Sequence, residues 1–509
     1  MSEENLFGTD KRIKLGIWGL GRGQSFINQA SNVNIDVVAG CDYHEHMRNN
    51  FLKNCPDAFI TADEDEFLAQ DIDAVLLATY CPDHAKQAIK ALKAGKHVLS
   101  EVTAFFTPAQ GVELVETVEE TGKVYNMAEN YPFSAANMYL AHLWKQGFFG
   151  ELTYAEYEYV HGVGRVYRKL DETPSLQPKN PSHHWRVWLN YHYYSTHSLG
   201  PVMVITGERP EKVTAFPVDV LNYGTIKGKG RKIDGILPGL GAFAPSLIQM
   251  SNGGVVRNLM GGTTADSHHQ RLFGTKASAE MPPLVLKVGA TGSSFNFTVK
   301  PDWPDLGELA TKAGHGGGDF WVLYYFARQI LTGEKAPWDI YSSSDATLAG
   351  IQALRSVEAE GQVMEIPDFR DKSVRDRYRN DNWQQKHLDP YSIFPDDQDF
   401  SITNEFSSVA LALNRAATKV RQALDVMKVF SVTLPEQQIK LINLVKEVRD
   451  AAPEYAEAYA KARKIVDAYP DSPGGQALRE LLVDIGEESR IIDTDKFVAD
   501  LNNWLIEKN

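Results

Sequence analysis

Two side chains that can exchange protons, Tyr194 and His197, stand three positions apart in the sequence. Histidine titrates near pH ~6.5 and is the commonest general base, whereas tyrosine, with an ordinary pKa of ~10, serves where a nearby cation favours its phenolate. If this segment is helical, the spacing puts both side chains on one face. Oxidation of an alcohol needs a base for the hydroxyl proton, so we take the pair as candidate catalytic residues. Packing of both rings in a hydrophobic core would explain the same spacing.

A glycine-rich turn follows the first predicted strand, and it reads Gly19, Leu20, Gly21, Arg22 and Gly23. Glycines in a strand-to-helix turn let the backbone approach a pyrophosphate, which the N–H groups of the next helix can bind. The spacing is Gly-x-Gly-x-Gly instead of the common Gly-x-Gly-x-x-Gly, so a purely structural turn is the alternative interpretation.

Asp42 ends the next predicted strand, about 20 residues after the glycines, and is the predicted ribose-binding residue. A carboxylate at this place accepts hydrogen bonds from the adenosine ribose and repels a 2′-phosphate. The sequence therefore predicts NAD as the cofactor in preference to NADP. A strand-end cap is the alternative role for Asp42.

Buried strands alternate with amphipathic helices through the first third of the chain. The predicted strands are Ile13–Gly19, Ile35–Cys41, Ala74–Thr79, His97–Glu101 and Val124–Glu129. Their apolar runs lack clean alternation, which is typical of a parallel sheet covered on both faces. Helices are predicted over Pro82–Gly95 and from Thr107 to Gly122, the second with a capping box. The pattern predicts an α/β fold with a doubly wound parallel sheet of the Rossmann type.

Polar residues at the ends of these strands are expected to line the ligand crevice, because open α/β sheets bind ligands at the carboxyl ends of their strands. The further predicted cofactor contacts are Thr79, Tyr80, His84, Glu101, Val102 and Asn130. The predicted substrate contacts are Glu101, Tyr131, Trp185, Arg186, Tyr193, His315 and Asp319. His315 and Asp319 flank a glycine-rich loop, for which a capped structural loop is the alternative.

The pattern changes near Gly150, where strand signals mix with Gly/Pro-rich loops and predict an α+β domain around a large, open, mostly antiparallel sheet. Strands are predicted at Leu152–His161, Val255–Met260 and Arg271–Gly274, and a helix at Phe320–Leu331. We place a Rossmann domain at 11–135, a substrate-binding domain at 136–395 and a C-terminal helical extension at 401–509. Asp368–Asp399 is interpreted as a linker or surface loop.

The composition indicates a globular protein that acts on a small molecule and binds neither nucleic acid nor a membrane. Hydrophobic residues make up 43% of the 509, and the formal net charge of −14 argues against non-specific binding to nucleic acid or anionic lipid. The three cysteines form no Cys-x-x-Cys pair, and neither a signal peptide nor a membrane span is visible, so we predict a cytoplasmic protein. Histidine pairs at 183–184 and 268–269 do not make a metal site, because neighbours on a strand point to opposite faces.

These motifs resemble the glucose–fructose oxidoreductase / inositol dehydrogenase / MocA (Gfo/Idh/MocA) family over roughly Ile13 to Arg370. The shared elements are the glycine turn, Ala78-Thr79 with His84, Gly95-Lys96-His97-Val98-Leu99, Ala128-Glu129-Asn130 and the run Leu272–Ser278. The resemblance implies NAD(P)-dependent oxidation or reduction of sugars and polyols, and homo-oligomers, either dimers or tetramers. The chain departs from the family in two places: Val102 replaces the Lys of Glu-Lys-Pro, and only His197 remains of Asp-x-x-x-His.

A narrower likeness is to the branch that contains the NAD-dependent glycosidases of glycoside hydrolase family 109. It lies in Glu101-Val102, Tyr194-x-Thr196-His197-x-Leu199-Gly200-Pro201 and His315-Gly316-Gly317-x-Asp319. Three interpretations follow. The first is an NAD-dependent oxidoreductase that transfers hydride between a sugar hydroxyl carbon and the nicotinamide. The second is a redox-neutral glycosidase that proceeds by oxidation, elimination, addition and reduction. The third is a non-catalytic NAD-binding protein.

Overall fold

A computed structural model describes residues 6–160, 190–216, 218, 243–261, 267–290, 293–303, 305–384, 394–395, 399–403, 405–472, 474–476, 478–479, 482 and 493–508. The predicted substrate contacts Trp185 and Arg186, and the histidine pair at 183–184, lie outside these residues. The described residues up to 384 form one compact unit, and those from 394 onward form a second.

The first sheet of the larger unit has six parallel strands in the order β3-β2-β1-β4-β5-β6. The strands are β1 (Ile13–Trp18), β2 (Ile35–Cys41), β3 (Phe59–Thr61), β4 (Ala74–Leu77), β5 (His97–Ser100) and β6 (Tyr125–Met127). The doubly wound order confirms the predicted Rossmann fold. Five strands lie where the sequence predicts them; β3 is missed because it is a three-residue edge strand with partly exposed side chains.

Five helices connect these strands and a sixth follows β6, and their ends follow local signals. They are α1 (Ile27–Ala30), α2 (Glu45–Asn54), α3 (Glu64–Leu68), α4 (His84–Lys93), α5 (Pro108–Thr121) and α6 (Ala135–Lys145). The capping box of α5 is confirmed: Thr107 Oγ1 accepts from the Gln110 N–H at 3.2 Å, and Gln110 Oε1 accepts from the Thr107 N–H at 3.1 Å. After the glycine turn, a 3-10 helix at Arg22–Phe26 comes before the single α-turn of α1.

The second sheet has nine strands in the order β14-β13-β12-β11-β7-β10-β9-β8-β15. They are β7 (Leu152–Val160), β8 (Pro210–Ala215), β9 (Phe243–Met250), β10 (Val255–Gly261), β11 (Gln270–Gly274), β12 (Ala277–Met281), β13 (Val285–Ala290), β14 (Ser293–Thr298) and β15 (Met364–Glu365). Only β7 and β10 run parallel. The expected open, mostly antiparallel sheet is thereby confirmed.

Strand β7 shows how this sheet separates its two faces. Ala155, Tyr157 and Tyr159 are buried on one side. Glu156 and Glu158 alternate with them on the other side and pair with arginines of neighbouring strands. Period-two alternation of this kind is typical of a sheet with one face against a core. The buried face carries the side chains that reach the candidate site.

Five helices complete the larger unit: α7 (Thr196–Thr206), α8 (Gly307–Ala310), α9 (Gly318–Thr332), α10 (Ile340–Glu358) and α11 (Lys372–Asp376). The helix predicted at Phe320–Leu331 corresponds to α9, which ends at Gly333 with φ 79° as a left-handed cap. Among the described helices, none has both the length and the apolar character needed to cross a lipid bilayer.

Residues 368–384 form a mostly exposed surface segment, one of the two predicted alternatives, but they are attached to α5 and do not act as a linker. Arg375 is 2% exposed and donates to both carboxylate oxygens of Glu119 on α5, at 2.8 and 2.7 Å. Arg379 pairs with Glu116 one turn earlier on the same helix. Arg375 and Arg379, two of the charged residues that suggested a linker, are therefore ion-pair partners of carboxylates on α5.

The second unit consists of helices with a core of their own, which confirms the predicted helical extension. Its helices are α12 (Phe400–Thr403), α13 (Phe406–Val429), α14 (Pro435–Ala468) and α15 (Thr494–Lys508). Val445, Val448 and Ala462 of α14 are fully buried, and Leu413 of α13 and Leu501 of α15 join them in this core. Pro435 starts α14, as a proline at the first helical position does.

Candidate active site

The end of β6 supplies three successive residues to the candidate site: Glu129, Asn130 and Tyr131. Glu129 is fully buried and Asn130 is 5% exposed. Glu129 Oε1 accepts a hydrogen bond from the Tyr131 N–H at 3.1 Å. All three lie just after Met127, at the carboxyl edge of the parallel sheet, where such folds bind ligands.

The second oxygen of Glu129 binds the predicted base. Oε2 lies 2.7 Å from His197 Nδ1, and His197 is 6% exposed on the first turn of α7. A buried carboxylate at Nδ1 favours the tautomer with hydrogen on Nδ1, which leaves the Nε2 lone pair as a proton acceptor. Among the described residues, none hydrogen-bonds to Nε2. Substitution of any residue for Gly200, one helical turn on, would bring its Cβ within 3.3 Å of Glu129.

Aromatic rings surround this imidazole. The Tyr131 ring stacks on His197 with centroids 5.1 Å apart, and the Tyr159 ring meets His197 edge-on at 4.7 Å. The Tyr194 ring lies 4.3 Å from the imidazole. Tyr194 ends a 3-10 turn at Tyr191–Tyr194, so the predicted proximity of Tyr194 and His197 is present without one continuous α-helix.

Tyr193, a predicted substrate contact, is built into the core. Its side chain is 2% exposed, its hydroxyl donates to the Phe106 carbonyl at 3.2 Å, and its ring stacks on Phe106 at 4.5 Å. The prediction for Tyr193 therefore has no support in the geometry, because consecutive residues of the 3-10 turn point in different directions.

Asp319 joins several predicted residues in one buried network. Arg22 donates to both carboxylate oxygens of Asp319, at 2.9 and 2.7 Å, and Asn130 Nδ2 donates to Oδ1 at 2.9 Å. His315 Nδ1 lies 3.0 Å from Oδ2. Burial would raise the pKa of Asp319, but hydrogen bonds from His315 and Arg22 and the charge of Arg22 hold the pKa well below its ordinary value.

Arg22 also pairs with Glu101, so its charge is shared between two carboxylates. Its Nε donates to Glu101 Oε1 at 2.9 Å. Burial opposes the charged guanidinium, yet Glu101 and Asp319 raise the pKa of Arg22 above its ordinary value. Val102, which stands at the position of the family lysine, is 5% exposed, and a cis peptide bond joins it to Thr103.

His84 ties together the loops that follow β4 and β5. Its Nδ1 lies 3.2 Å from the Thr103 carbonyl and its Nε2 lies 3.3 Å from the Thr79 carbonyl. Burial lowers the pKa of His84 despite these contacts. Both ring nitrogens face backbone carbonyls, so His84 positions the loop of Thr79 and Tyr80 instead of reaching a ligand directly. Thr79 Oγ1 itself hydrogen-bonds to Gln87 of α4.

The glycine turn and Asp42 fit a dinucleotide. Gly19 has φ 95°, and a Cβ there would lie 2.4 Å from the Ala78 carbonyl oxygen, whereas a Cβ on Gly21 would meet nothing within 4 Å. Asp42 accepts the N–H of Leu20 at 2.8 Å and that of His44 at 2.8 Å, which fixes its carboxylate beside the turn. The buried Asn130 Oδ1 accepts no hydrogen bond within the described part of the chain. A dinucleotide bound here would meet the open backbone at Gly21, the Asp42 carboxylate beside its ribose, and Asn130 Oδ1 as a further hydrogen-bond acceptor.

Two residues of the site, Tyr159 and His268, were missed from the sequence. Tyr159 lies on the buried face of β7, and the alternation along that strand was the only available signal. His268 lies beside Tyr131, although the two are 137 positions apart. In the described ranges, no cluster of three or more histidines, cysteines or carboxylates could hold a metal ion.

Comparison with known protein families matches two separate segments of the larger unit. Residues 13–129 match the family described as "Oxidoreductase family, NAD-binding Rossmann fold". Residues 296–375 match the C-terminal domain of glycosyl hydrolase 109. A glycosyl hydrolase family 109 protein of Shewanella putrefaciens is 26% identical over 394 residues, covering 70% of this chain and 85% of that protein. A protein of the same name from Shewanella sp. strain W3-18-1 matches to the same extent.

Solved structures share the fold. A levoglucosan dehydrogenase in complex with NADH and L-sorbose aligns with a TM-score of 0.59 at 17% identity, covering 71% of this chain and all of that one. The apo scyllo-inositol dehydrogenase of Lactobacillus casei aligns with a TM-score of 0.53 at 17% identity, covering 70% and 99%.

The fold and the family match of its Rossmann domain identify an NAD-dependent oxidoreductase. More specifically, the matched segments are those of the Gfo/Idh/MocA oxidoreductases and of glycosyl hydrolase 109, the two groups that the motifs of the sequence resemble. The predicted cofactor, NAD, is confirmed by the family of the first domain.

Proposed function

We propose that this protein oxidises a hydroxyl group of a carbohydrate at the crevice between the glycine turn and His197. The observation that carries the proposal is the Glu129–His197 pair, with Nδ1 and Oε2 2.7 Å apart at the carboxyl edge of the NAD-binding sheet. The names of the structural neighbours, levoglucosan dehydrogenase and scyllo-inositol dehydrogenase, support a sugar or polyol as the substrate class.

His197 is the proton acceptor in this proposal. Its Nε2 takes the hydroxyl proton of the substrate, and Glu129 stabilises the imidazolium that forms, since the buried carboxylate already holds Nδ1. Tyr194, whose ring touches the same imidazole, is the second predicted catalytic residue. Tyr131, Glu101, His315 and Asp319 border this region and are the proposed substrate contacts among the described residues.

The cofactor-holding groups are the glycine turn from Gly19 to Gly23, Asp42 and Asn130. NAD bound there supplies a hydride acceptor. Arg22 stays protonated between Glu101 and Asp319 and so offsets one of their two negative charges beside the reacting alcohol. Burial of Val102 and of the His197 surroundings excludes water from the same region.

A redox-neutral glycoside hydrolase is the second candidate, and the match of residues 296–375 to the glycosyl hydrolase 109 C-terminal domain favours it. In that reaction the same base is needed, with a second proton-transfer group for the elimination step. Val102 in place of the family lysine suits an enzyme whose proton chemistry lies on the other side of the crevice, at His197.

The deciding experiment scores two products separately. The purified protein is incubated with a panel of nitrophenyl glycosides and free sugars, and both the released aglycone and NADH are measured. NADH formation with a free sugar supports the oxidoreductase; aglycone release with catalytic NAD and no net NADH supports the hydrolase. His197→Ala should abolish either activity while NAD binding persists. A protein that binds NAD but turns over neither class, in parent and variant alike, would be the non-catalytic NAD-binding protein.

We further propose domain limits of 11–135, 136–395 and 401–509, a cytoplasmic location and a homo-oligomeric state. The independent core of α13, α14 and α15 supports a separate helical domain. The described cysteines Cys41, Cys55 and Cys81 are all unbridged, in keeping with a reducing compartment. Size-exclusion chromatography with light scattering tests the oligomeric state.

A further inference from the structure

Three rings in the candidate site form one ordered stack. Tyr131 lies between two imidazoles: its centroid is 5.1 Å from His197 at an interplanar angle of 21°, and 5.6 Å from His268 at 22°. Tyr159 meets all three rings edge-on, at 4.7, 4.7 and 5.0 Å. The stack is therefore fixed from the side by one buried phenol ring, and its members cannot rotate independently.

Within this stack the Tyr131 hydroxyl is hydrogen-bonded to His268, with the oxygen 2.5 Å from Nδ1. A neutral imidazole with hydrogen on Nε2 accepts the phenol proton at Nδ1. A phenol hydrogen-bonded to an imidazole has a proton acceptor within direct reach. His197 has its own carboxylate partner, Glu129, and does not share this contact.

We propose that His268 is a positioning residue that makes Tyr131 a second proton-transfer group, so that the stack holds two separate pairs, Glu129–His197 and Tyr131–His268. This inference rests on the proposed function and deepens it. One base is sufficient for a dehydrogenase, but elimination of an aglycone also requires removal of a proton from carbon. An imidazole that already holds the hydroxyl proton cannot accept a second one.

The proton balance of the step is simple. The phenol oxygen of Tyr131 forms a bond to the proton leaving the substrate, whose electron pair stays on the substrate. The original Tyr131 O–H bond breaks at the same time, and its proton passes to His268 Nδ1. Tyr131 ends as a neutral phenol and His268 as an imidazolium.

The neighbouring histidine provides a matched control. His269 is exposed, and its backbone N–H donates to Glu158 on the opposite face of β7. It is the same residue type one position away, on the other side of the strand. The effect of replacing His269 can thus be compared with the effect of replacing His268, which contacts Tyr131.

The test uses the full-length protein with the best substrate found above and the variants His268→Ala, His268→Asn and His269→Asn. Asn places an oxygen near the position of Nδ1, so it keeps a hydrogen-bond acceptor but cannot be protonated. We expect kcat to fall about 10- to 100-fold in both His268 variants, with KM and NAD affinity within threefold of the parent. Free imidazole should restore part of the kcat of His268→Ala, and His269→Asn should match the parent.

Full activity in His268→Asn would overturn the proposed proton transfer from Tyr131 to His268, because a hydrogen-bond acceptor alone would then suffice. Equal behaviour of the His268 and His269 variants would overturn it as well, as would a loss of activity in His268→Ala that imidazole does not restore. A parent that releases neither aglycone nor NADH would instead refute the proposed function, and the inference with it. The two failures are distinguished by the parent alone.

Discussion

Arg22 in the glycine turn and Asp319 in the first turn of α9 form a two-point ion pair, with Nη1–Oδ2 at 2.9 Å and Nη2–Oδ1 at 2.7 Å. The two residues are 297 positions apart. The pair connects the turn proposed to bind the cofactor to α9, which follows strand β14 of the nine-stranded sheet. Parallel hydrogen bonds between a guanidinium and a carboxylate are the strongest geometry for such a pair.

We predict that Asp319→Asn lowers the free energy of unfolding by about 2–4 kcal/mol, because Arg22 keeps its charge without its buried partner. Arg22→Lys is the matched variant; it keeps the charge, loses the two-point geometry and should cost about 1 kcal/mol. Urea unfolding followed by circular dichroism measures both. Equal stabilities of the three proteins would contradict the role assigned to the pair.

Glu129→Gln should lower kcat by about 10²–10⁴-fold with little change in KM. A glutamine amide can donate to Nδ1 and turn the imidazole to the tautomer whose Nε2 carries hydrogen, which removes the proton acceptor. Steady-state kinetics with the best substrate, beside calorimetric titration with NAD, checks the prediction. The outcome that counts against it is a parallel loss of NAD affinity that accounts for the whole effect.

Asp42→Ala should weaken NAD about tenfold or more and NADP far less, because only the first cofactor loses hydrogen bonds to the ribose hydroxyls. The variant also frees the N–H groups of Leu20 and His44, so Asp42→Asn, which retains an oxygen acceptor, serves as the comparison. Titrations with both cofactors give the ratio. Equal weakening of NAD and NADP would refute the ribose assignment.

Asp345 should make the larger unit less stable as pH rises from about 4 to about 6. Burial raises the pKa of Asp345 to about 6, against the lowering effect of Arg370 and Arg209. The native state therefore binds a proton that the unfolded chain, with its ordinary pKa near 3.8, releases earlier. The native advantage is complete below the unfolded pKa and is lost as pH passes through the native value.

Asp345→Asn removes this dependence, so we expect the parent to lose up to about 3 kcal/mol relative to the variant between pH 4 and pH 7. Denaturant unfolding at intervals of half a pH unit measures the difference. Identical pH profiles for the two proteins would show that Arg370, 2.8 Å from Oδ2, keeps the carboxylate ionised throughout.

Much of the fold could be predicted from the sequence because its signals are local. The strands of the Rossmann sheet are runs of buried residues, and the Thr107 capping box and the glycine after α9 mark helix ends by chemistry within one turn. The short edge strand β3 could not be predicted, since three half-exposed residues show no periodicity.

The candidate site was only partly predictable, for the opposite reason. Tyr194 and His197 belong to one motif, but the partners that define their chemistry come from far along the chain. Glu129 reaches His197 across 68 positions, and Tyr131 reaches His268 across 137. Tyr193, a predicted substrate contact, lies in a 3-10 turn and packs on Phe106, a contact 87 positions away that no local spacing indicates.

The end of β6 has a consequence for anyone who would redesign this protein. Three consecutive residues follow the strand there. Glu129 holds the proposed proton acceptor His197, Asn130 donates to Asp319, and the Tyr131 ring stacks on His197. A one-residue insertion or deletion after Met127 would shift all three functions together, whereas loops elsewhere could be exchanged without altering their spacing. A redesign that changes the substrate specificity of this protein should therefore retain Glu129, Asn130, Tyr131 and strand β6 together.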